Sequence, residues 1–352
     1  MLTYAKGTRE REDLIKLCSS VIRGNVHDYD KRVNQTLGCD IIEKTFREII
    51  GNDKLDYRAM RRNNNLVLVF EIIEEVIDIK IEDGFANNPF FKAFVEYKST
   101  KWGDRPEFYV KNPNSIVISE VSGGHWNLNR QRLNAGESFW IPTKWYSAKI
   151  YEEFERMLTG RINFVELVSK IYQSVMEKIG ETIAIEFMGS FDVIPPEFKQ
   201  TGTLDISKLL ELTRNVATAN KSVGRTIIAG TRVALDRIPE LMGQSSSFLI
   251  SNEMKESINN LGLLQTFRGH KILEIPQFFK QGTFETAVAD DTLFILTGDE
   301  KPIKVVKEGE SIIRETNNGL ENQDMTLEYT FQTKVGVSTI LNNYYGAYRI
   351  TG

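Results

Sequence analysis

Apolar residues along this chain change their spacing several times, and each change marks a predicted element. In the first 62 residues, Leu14, Leu17, Val21 and Ile22 recur near helical spacing, as do Ile41, Ile42, Phe46, Ile49 and Ile50. Gly24, Gly38 and Gly51 punctuate this segment, and its apolar density is too low for an independent core. It reads as a polar N-terminal arm with short helices that packs against another body. Next, Leu66, Val69, Phe70, Ile73, Val76 and Ile77 form a helical stripe. Alternation of Ile77, Ile79 and Ile81 with Asp78, Lys80 and Glu82 leaves a strand open as the other reading. Gly84 and Asn87-Asn88-Pro89 mark a break, and Phe90, Phe91, Phe94, Val95 and Tyr97 then look like an anchor pressed into a core.

From residue 98 to about 147, short β-prone runs (Phe108-Tyr109-Val110, Ile116-Val117-Ile118) alternate with turn clusters at Gly103-Asp104, Asn112-Pro113-Asn114 and Ser122-Gly123-Gly124. A long β-hairpin extension fits this pattern. All four tryptophans, Trp102, Trp126, Trp140 and Trp145, fall within it. Trp, Tyr and Arg supply most of the hot-spot energy at protein interfaces, so the segment reads equally as an interface or as a small local core.

Residues 149–185 carry the strongest helical signal. Ile150, Phe154, Met157, Leu158, Val165, Val168, Ile171, Tyr172, Val175, Met176 and Ile179 recur mostly every three or four residues, predicting a long one-sided helix, with Gly160 and Asn163 as places where it breaks in two. After Pro195-Pro196 and Gly202 the pattern becomes α/β. Asp205 or Thr203 caps a helix bearing Ile206, Leu209, Leu210, Thr213 and Val216, and a buried strand at 226–229 leads through Gly230-Thr231 into a helix with Val233, Leu235, Ile238 and Leu241. A strand at 248–250, a helix at 253–261 and a strand at 272–275 complete the unit. Short strands at 292–296 and 303–306 flank Gly298-Asp299. Finally Leu327, Tyr329, Phe331, Thr333, Val335 and Val337 alternate with polar or small residues, as a half-buried strand does, and this strand is the best candidate for the sheet beneath the long helix.

At 352 residues the chain is long enough for two or three subdomains, and its 41% hydrophobic and 26% charged content is that of an ordinary globular protein. The most apolar stretch, 66–81, is interrupted by Glu71, Glu74, Glu75, Asp78 and Lys80, whereas a membrane-spanning helix needs about 20 mostly apolar residues. Lys6, Arg9, Glu10, Arg11, Glu12 and Asp13 leave no room for an apolar export signal, so folding in the cytoplasm is expected. A net charge of −4 argues against a protein whose main task is gripping nucleic acid. Arg58, Arg61 and Arg62 before Asn63 read as a solvated turn. Cys18 and Cys39 read as buried thiols rather than a disulfide framework, and His27, His125 and His270 are scattered singly, so no metal site is expected.

The chemistry-bearing patterns are weak. Gly224 to Thr231 superficially resembles a phosphate loop, but it has one residue too many and no Lys before the hydroxyl residue. Neither a nucleophile elbow nor a His-Glu-x-x-His helix is present. The pairs Glu74-Glu75, Glu152-Glu153 and Asp290-Asp291 read as solvated faces, and Ser245-Ser246-Ser247 as a loop. Neither catalytic residues nor a cofactor is expected.

The order of these parts resembles the major capsid proteins of tailed bacteriophages, the Hong Kong 97-like fold shared with herpesvirus capsids and encapsulin shells. Gly136-Glu137-Ser138-Phe139-Trp140-Ile141-Pro142-Thr143, continuing through Tyr151-Glu152-Glu153-Phe154-Glu155-Arg156, is similar to the return of a capsid extended loop into the spine helix. Ile228-Ala229-Gly230-Thr231-Arg232-Val233-Ala234-Leu235 is similar to the axial domain, and Phe331-Gln332-Thr333-Lys334-Val335-Gly336-Val337 to the closing strand of the peripheral domain. The resemblance implies an α+β fold with an N-terminal arm (1–62), a peripheral-domain entry segment (63–97), an extended loop (98–147), a peripheral domain (148–190 and 292–352) and an axial domain (191–291). It further implies hexamers and pentamers closing into an icosahedral shell around double-stranded DNA, with scaffolding, portal and decoration proteins as partners and no membrane. Intersubunit contacts are then expected at Trp102, Arg105, Trp126, Arg130, Arg132 and Trp140. Some relatives cross-link Lys to Asn; Lys101, Lys111 and Lys144, with Asn342 and Asn343, lie in the corresponding regions, but no pattern singles out a pair. Two other readings stay open: an encapsulin-like compartment holding protein cargo, and an α/β enzyme with an unrecognised site in residues 203–276.

Overall fold

A computed structural model describes residues 8–24, 26, 35–50, 65–110, 136–153, 164–221, 226–244, 265–298, 301–316, 326–340 and 343–351. Its helices are α1 (Arg9–Arg23), α2 (Gln35–Ile50), α3 (Asn65–Asn87), α4 (Pro89–Phe94), α5 (Phe164–Gly189), α6 (Ile206–Ala219) and α7 (Arg232–Gln244). Its strands are β1 (Val95–Thr100), β2 (Glu107–Val110), β3 (Glu137–Trp140), β4 (Lys144–Glu153), β5 (Lys199–Gly202), β6 (Thr226–Gly230), β7 (Thr266–Phe267), β8 (His270–Glu274), β9 (Thr292–Thr297), β10 (Ile303–Glu308), β11 (Ile312–Thr316), β12 (Thr326–Thr339) and β13 (Gly346–Ile350).

The apolar stripe from residue 66 folds as a helix, and the rival strand reading at 77–81 fails because Ile72, Ile73, Val76, Ile77 and Ile81 are all buried in α3. A helix covered on several sides is apolar nearly all round, which locally imitates strand alternation. Gly84 does not end α3, since Tyr172 and Met176 of α5 press against it. The break comes at Asn88, where Pro89 disfavours continued helix and the Asn88 side chain accepts from the Phe90 and Phe91 amides to cap α4. Phe90, Phe91 and Phe94 then enter the core, Phe90 meeting Phe187 of α5 at 6.3 Å. The body expected to receive the N-terminal arm is part of this same chain: α1 and α2 pack on α3, burying Leu14, Leu17, Val21, Ile42 and Phe46.

The predicted long helix is shorter at its start. Residues 144–153 form strand β4, paired antiparallel along β12 from Lys144↔Val335 to Glu153↔Thr326, and α5 begins at Phe164. Tyr146, Ala148 and Ile150 follow period two, but the four-residue step from Ile150 to Phe154 imitates a helix turn. The expected break at Gly160 and Asn163 lies outside the described residues, as do the strand and helix expected at 248–261. The 26 residues of α5, about 39 Å long, lie against β12, whose buried Tyr329, Phe331, Thr333 and Val335 are the inward half of the predicted alternation.

β12 is the centre of a five-stranded sheet. One edge carries β4; the other carries β10 and β11 in succession, with β1 parallel to β10 beyond them. Lys307 pairs with Val335 and Ile312 with Gln332, so Glu308, Gly309, Glu310 and Ser311 stand opposite only Thr333 and Lys334. This is a two-residue bulge, and Gly309 supplies its left-handed φ of 76°. The second sheet has six strands in the order β5-β13-β9-β6-β8-β7. There α6, capped by Asp205, and α7 close a separate core of Leu209, Leu212, Val216, Leu235, Ile238, Ile228 and Ile295. Residues 292–352, grouped by sequence with the long helix, contribute to both sheets: β9 and β13 pair with β6 and β5, whereas β10 to β12 lie under α5.

Candidate assembly surface

The tryptophan-rich segment leaves the five-stranded sheet at the bulge. Its outgoing leg runs from β1 through Trp102 and Gly103 into β2, and its return leg from β3 through Ile141, Pro142 and Thr143 into β4. β2 and β3 form an antiparallel ribbon with Phe108 opposite Phe139 and Tyr109 opposite Ser138. Phe108 is buried with Ile141 and Val306, the ammonium groups of Lys98 and Lys304 lie 4.0 and 5.8 Å from its ring centre, and this small cluster roots the ribbon. Pro142 crosses β12 at Gly336, where an added Cβ would stand 2.7 Å from the proline carbonyl oxygen; only glycine leaves room for the crossing.

One carboxylate joins the two legs. Glu308, in β10 at the edge of the bulge, accepts from the Gly103 amide at 3.2 Å, from the Thr143 hydroxyl at 2.5 Å and from the Lys334 ammonium at 2.7 Å. The hydrogen bond from Lys334, then that from Thr143, hold its pKa down to about 2. The Gly309 amide donates to Thr100 O at 2.7 Å, closing the outgoing leg from the other side. Trp102 covers Gly309 closely enough that a Cβ there would overlap its ring, and it stacks on Trp145 at 5.3 Å. Lys334 also lies 5.9 Å from the Trp145 ring centre.

Of the sequence-predicted contact residues, Trp102, Arg105 and Trp140 are described, and all lie on this extension. Arg105 sits 5.1 Å from the Trp140 ring, and Trp140 is 58% exposed. Trp126, Arg130 and Arg132 lie outside the described residues, as do Lys111 and Asn342. Lys101 and Lys144 are exposed, and Asn343 donates to the Thr297 hydroxyl at 3.3 Å. Sequence reasoning missed Tyr109 and Phe139, which add exposed rings to the ribbon. All four residues of β3 are exposed, Phe139 and Trp140 among them. It also missed a hairpin at 277–288 that displays Phe279 and the 94%-exposed Phe284, while Phe278 packs against Gly180 of α5.

The remaining candidates for chemistry separate in space. His270 shares a 2.6 Å hydrogen bond with Thr226, and burial lowers its pKa. Thr231, in the phosphate-loop-like stretch, accepts from the Ala234 amide and starts α7, while residues 222–225 lie outside the described set. Cys18 is buried, which pushes its thiol up to about 12, and Cys39 is half-buried rather than buried. Among the described residues no group of His, Cys, Asp and Glu is arranged to hold a metal, and no helix is long and apolar enough to cross a membrane.

The fold has relatives among solved structures. The chain superimposes on a chain of "Satellite phage P4 procapsid including size determination (Sid) protein" with a TM-score of 0.51 at 7% identity, covering 77% of this chain and 90% of that one. A chain of "Asymmetric unit of bacteriophage PhiM1 mature capsid" gives 0.49 at 13%, covering 75% and 88%, and the "virus-like particle from Pyrococcus furiosus" gives 0.42 at 14%, covering 78% and 98%. No curated protein matches. The first of these likenesses fixes the capsid fold. Residues 13–348, nearly the whole chain, match one family model, and the chain therefore belongs to the family described as "SPbeta prophage-derived putative capsid protein YonB".

Proposed function

We propose that this protein is the major capsid protein of a tailed phage, assembling in the host cytoplasm through hexamers and pentamers into an icosahedral head around double-stranded DNA. The observation that carries the mechanism is the ribbon, an ordered element rooted in the sheet whose Tyr109, Phe139 and Trp140 side chains are exposed in the single chain. Contiguous exposed aromatics beside Arg105 are what a partner surface covers, and in a shell built from one chain that partner is a second copy. In this reading residues 98–147 are the extended loop, the five-stranded sheet with α5 is the peripheral unit, and the six-stranded sheet with α6 and α7 is the axial unit. Trp102, Arg105 and Trp140, with Trp126, Arg130 and Arg132 of the same loop, make intersubunit contacts. Scaffolding, portal and decoration proteins complete the head. The work is assembly, with many modest contacts repeated by symmetry. Replacing residues 104–139 by a short turn is the test: it should leave a folded protein that no longer forms shells, and normal particles from that deletion would overturn the assignment of the loop.

A further inference from the structure

The bulge that anchors the loop also faces a concentration of carboxylates. From α3, Glu71, Glu74, Glu75 and Asp78 line a solvent-open hollow together with Arg11 of α1 and Glu310 of the bulge. Arg11 is buried and donates to Glu71 at 3.0 Å and to Glu75 at 3.1 Å, tying α1 to α3. Asp78 accepts from the Ser311 amide at 3.1 Å and pairs with Lys307 at 2.6 Å. Glu74, between these two sets, accepts from the Ile313 amide at the start of β11. One face of α3 therefore grips three points of the β10–β11 connection, at Lys307, Ser311 and Ile313.

Glu74 stands among like charges, Glu71, Asp78 and Glu310. Arg11 and Lys307 are engaged by Glu71, Glu75 and Asp78, and Arg314, next along β11, is exposed. An ionised Glu74 thus adds a negative charge beside Glu71, Asp78 and Glu310 in a half-buried position. We propose that Glu74 is a proton-operated latch between α3 and the β10–β11 bulge, closed while its carboxyl is neutral and slackened when it ionises. A neutral carboxyl still accepts from the Ile313 amide through its carbonyl oxygen, and it removes the repulsion from its three acidic neighbours.

Burial, opposed by the Ile313 hydrogen bond and reinforced by Glu71, Asp78 and Glu310, pushes the Glu74 pKa up to about 7. Because the folded value lies above the ordinary carboxylate value of 4.5, the latch's contribution is complete below about pH 4.5 and is lost as pH rises through about 7. The sign is opposite to that of an ordinary ion-paired carboxylate.

Hydrogen exchange of the full-length wild-type chain and of Glu74→Gln at pH 5.5, 7.0 and 8.5, corrected for intrinsic exchange, tests this. Protection of peptides spanning 308–316 should fall about tenfold in the wild type between the lowest and highest pH and stay level in Glu74→Gln, which is permanently neutral. A pH-independent wild type, or the same fall in Glu74→Gln, overturns the latch. Should Glu74→Gln fail to fold, Glu71→Gln provides the second test: relief of crowding should move the wild-type transition to lower pH, and an unmoved transition overturns the proposal.

Discussion

Replacing Glu308 by alanine should free the extended loop at its root while leaving the sheets intact. The side chain accepts three hydrogen bonds, two from neutral donors and one from an ammonium. Hydrogen bonds to a charged group contribute about 1.5–3 kcal/mol each, and all three end on an ionised carboxylate. Lys334 is 22% exposed, so water partly compensates the lost partners and the total falls below that sum, at about 3 kcal/mol. That is roughly a hundredfold in a local opening equilibrium. Hydrogen exchange should show it as a comparable loss of protection in peptides covering 101–104 and 141–144, with β9 and β6 of the other sheet unchanged. Glu308→Gln, which keeps one acceptor, should fall between the two. The depressed pKa adds a sign: the contribution is present above the ordinary carboxylate value of 4.5 and is lost only as pH falls toward about 2, so the wild-type joint should hold at pH 4.5. Unchanged protection at both legs in Glu308→Ala, or an equal loss throughout the molecule, would refute the joint.

Three further outcomes follow from named contacts. Phe139→Ala combined with Trp140→Ala should leave the unfolding midpoint within about 0.5 kcal/mol of wild type, because both side chains are exposed, yet abolish shell formation in light scattering. Ile77→Ala, at a position of α3 with 0% exposure in the main core, should cost about 2–5 kcal/mol in urea unfolding. A thiol reagent added to native protein at pH 8 should modify Cys39 well before Cys18, whose thiol is buried and pushed up to about 12; equal rates would contradict the packing of α1.

What the sequence disclosed, and what it hid, depends on how local each feature is. The alternation in 327–337 is intrinsic to one strand, and it reads directly as β12 with Tyr329, Phe331 and Val335 inward. The helix break at Asn88-Pro89 and the Asp205 cap are equally local. By contrast, the start of α5 was obscured because Ile150 and Phe154 stand four apart across the end of a strand. The run at 292–297 is buried at every position, a pattern that reveals a central strand but not the sheet it joins. The bulge is invisible in sequence because it arises from a mismatch of register between strands, and with it the role of Glu308. Glu74 and Glu75 look alike as neighbours, yet a helix turns them about 100° apart, leaving Glu75 exposed while Glu74 reaches Ile313. The proposed contact residues Trp102, Arg105 and Trp140 stand out in the sequence by composition, whereas adding Tyr109 and Phe139 to that proposal needed the ribbon's exposure.

The central claim is assembly, and electron microscopy of the purified protein, run beside its size-exclusion profile, addresses it most directly. The account predicts closed shells or rings of capsomers, containing double-stranded DNA when recovered from a phage infection. A monomer that stays monomeric with a scaffolding partner present would contradict the account, and shells filled with protein cargo instead of DNA would contradict its viral half.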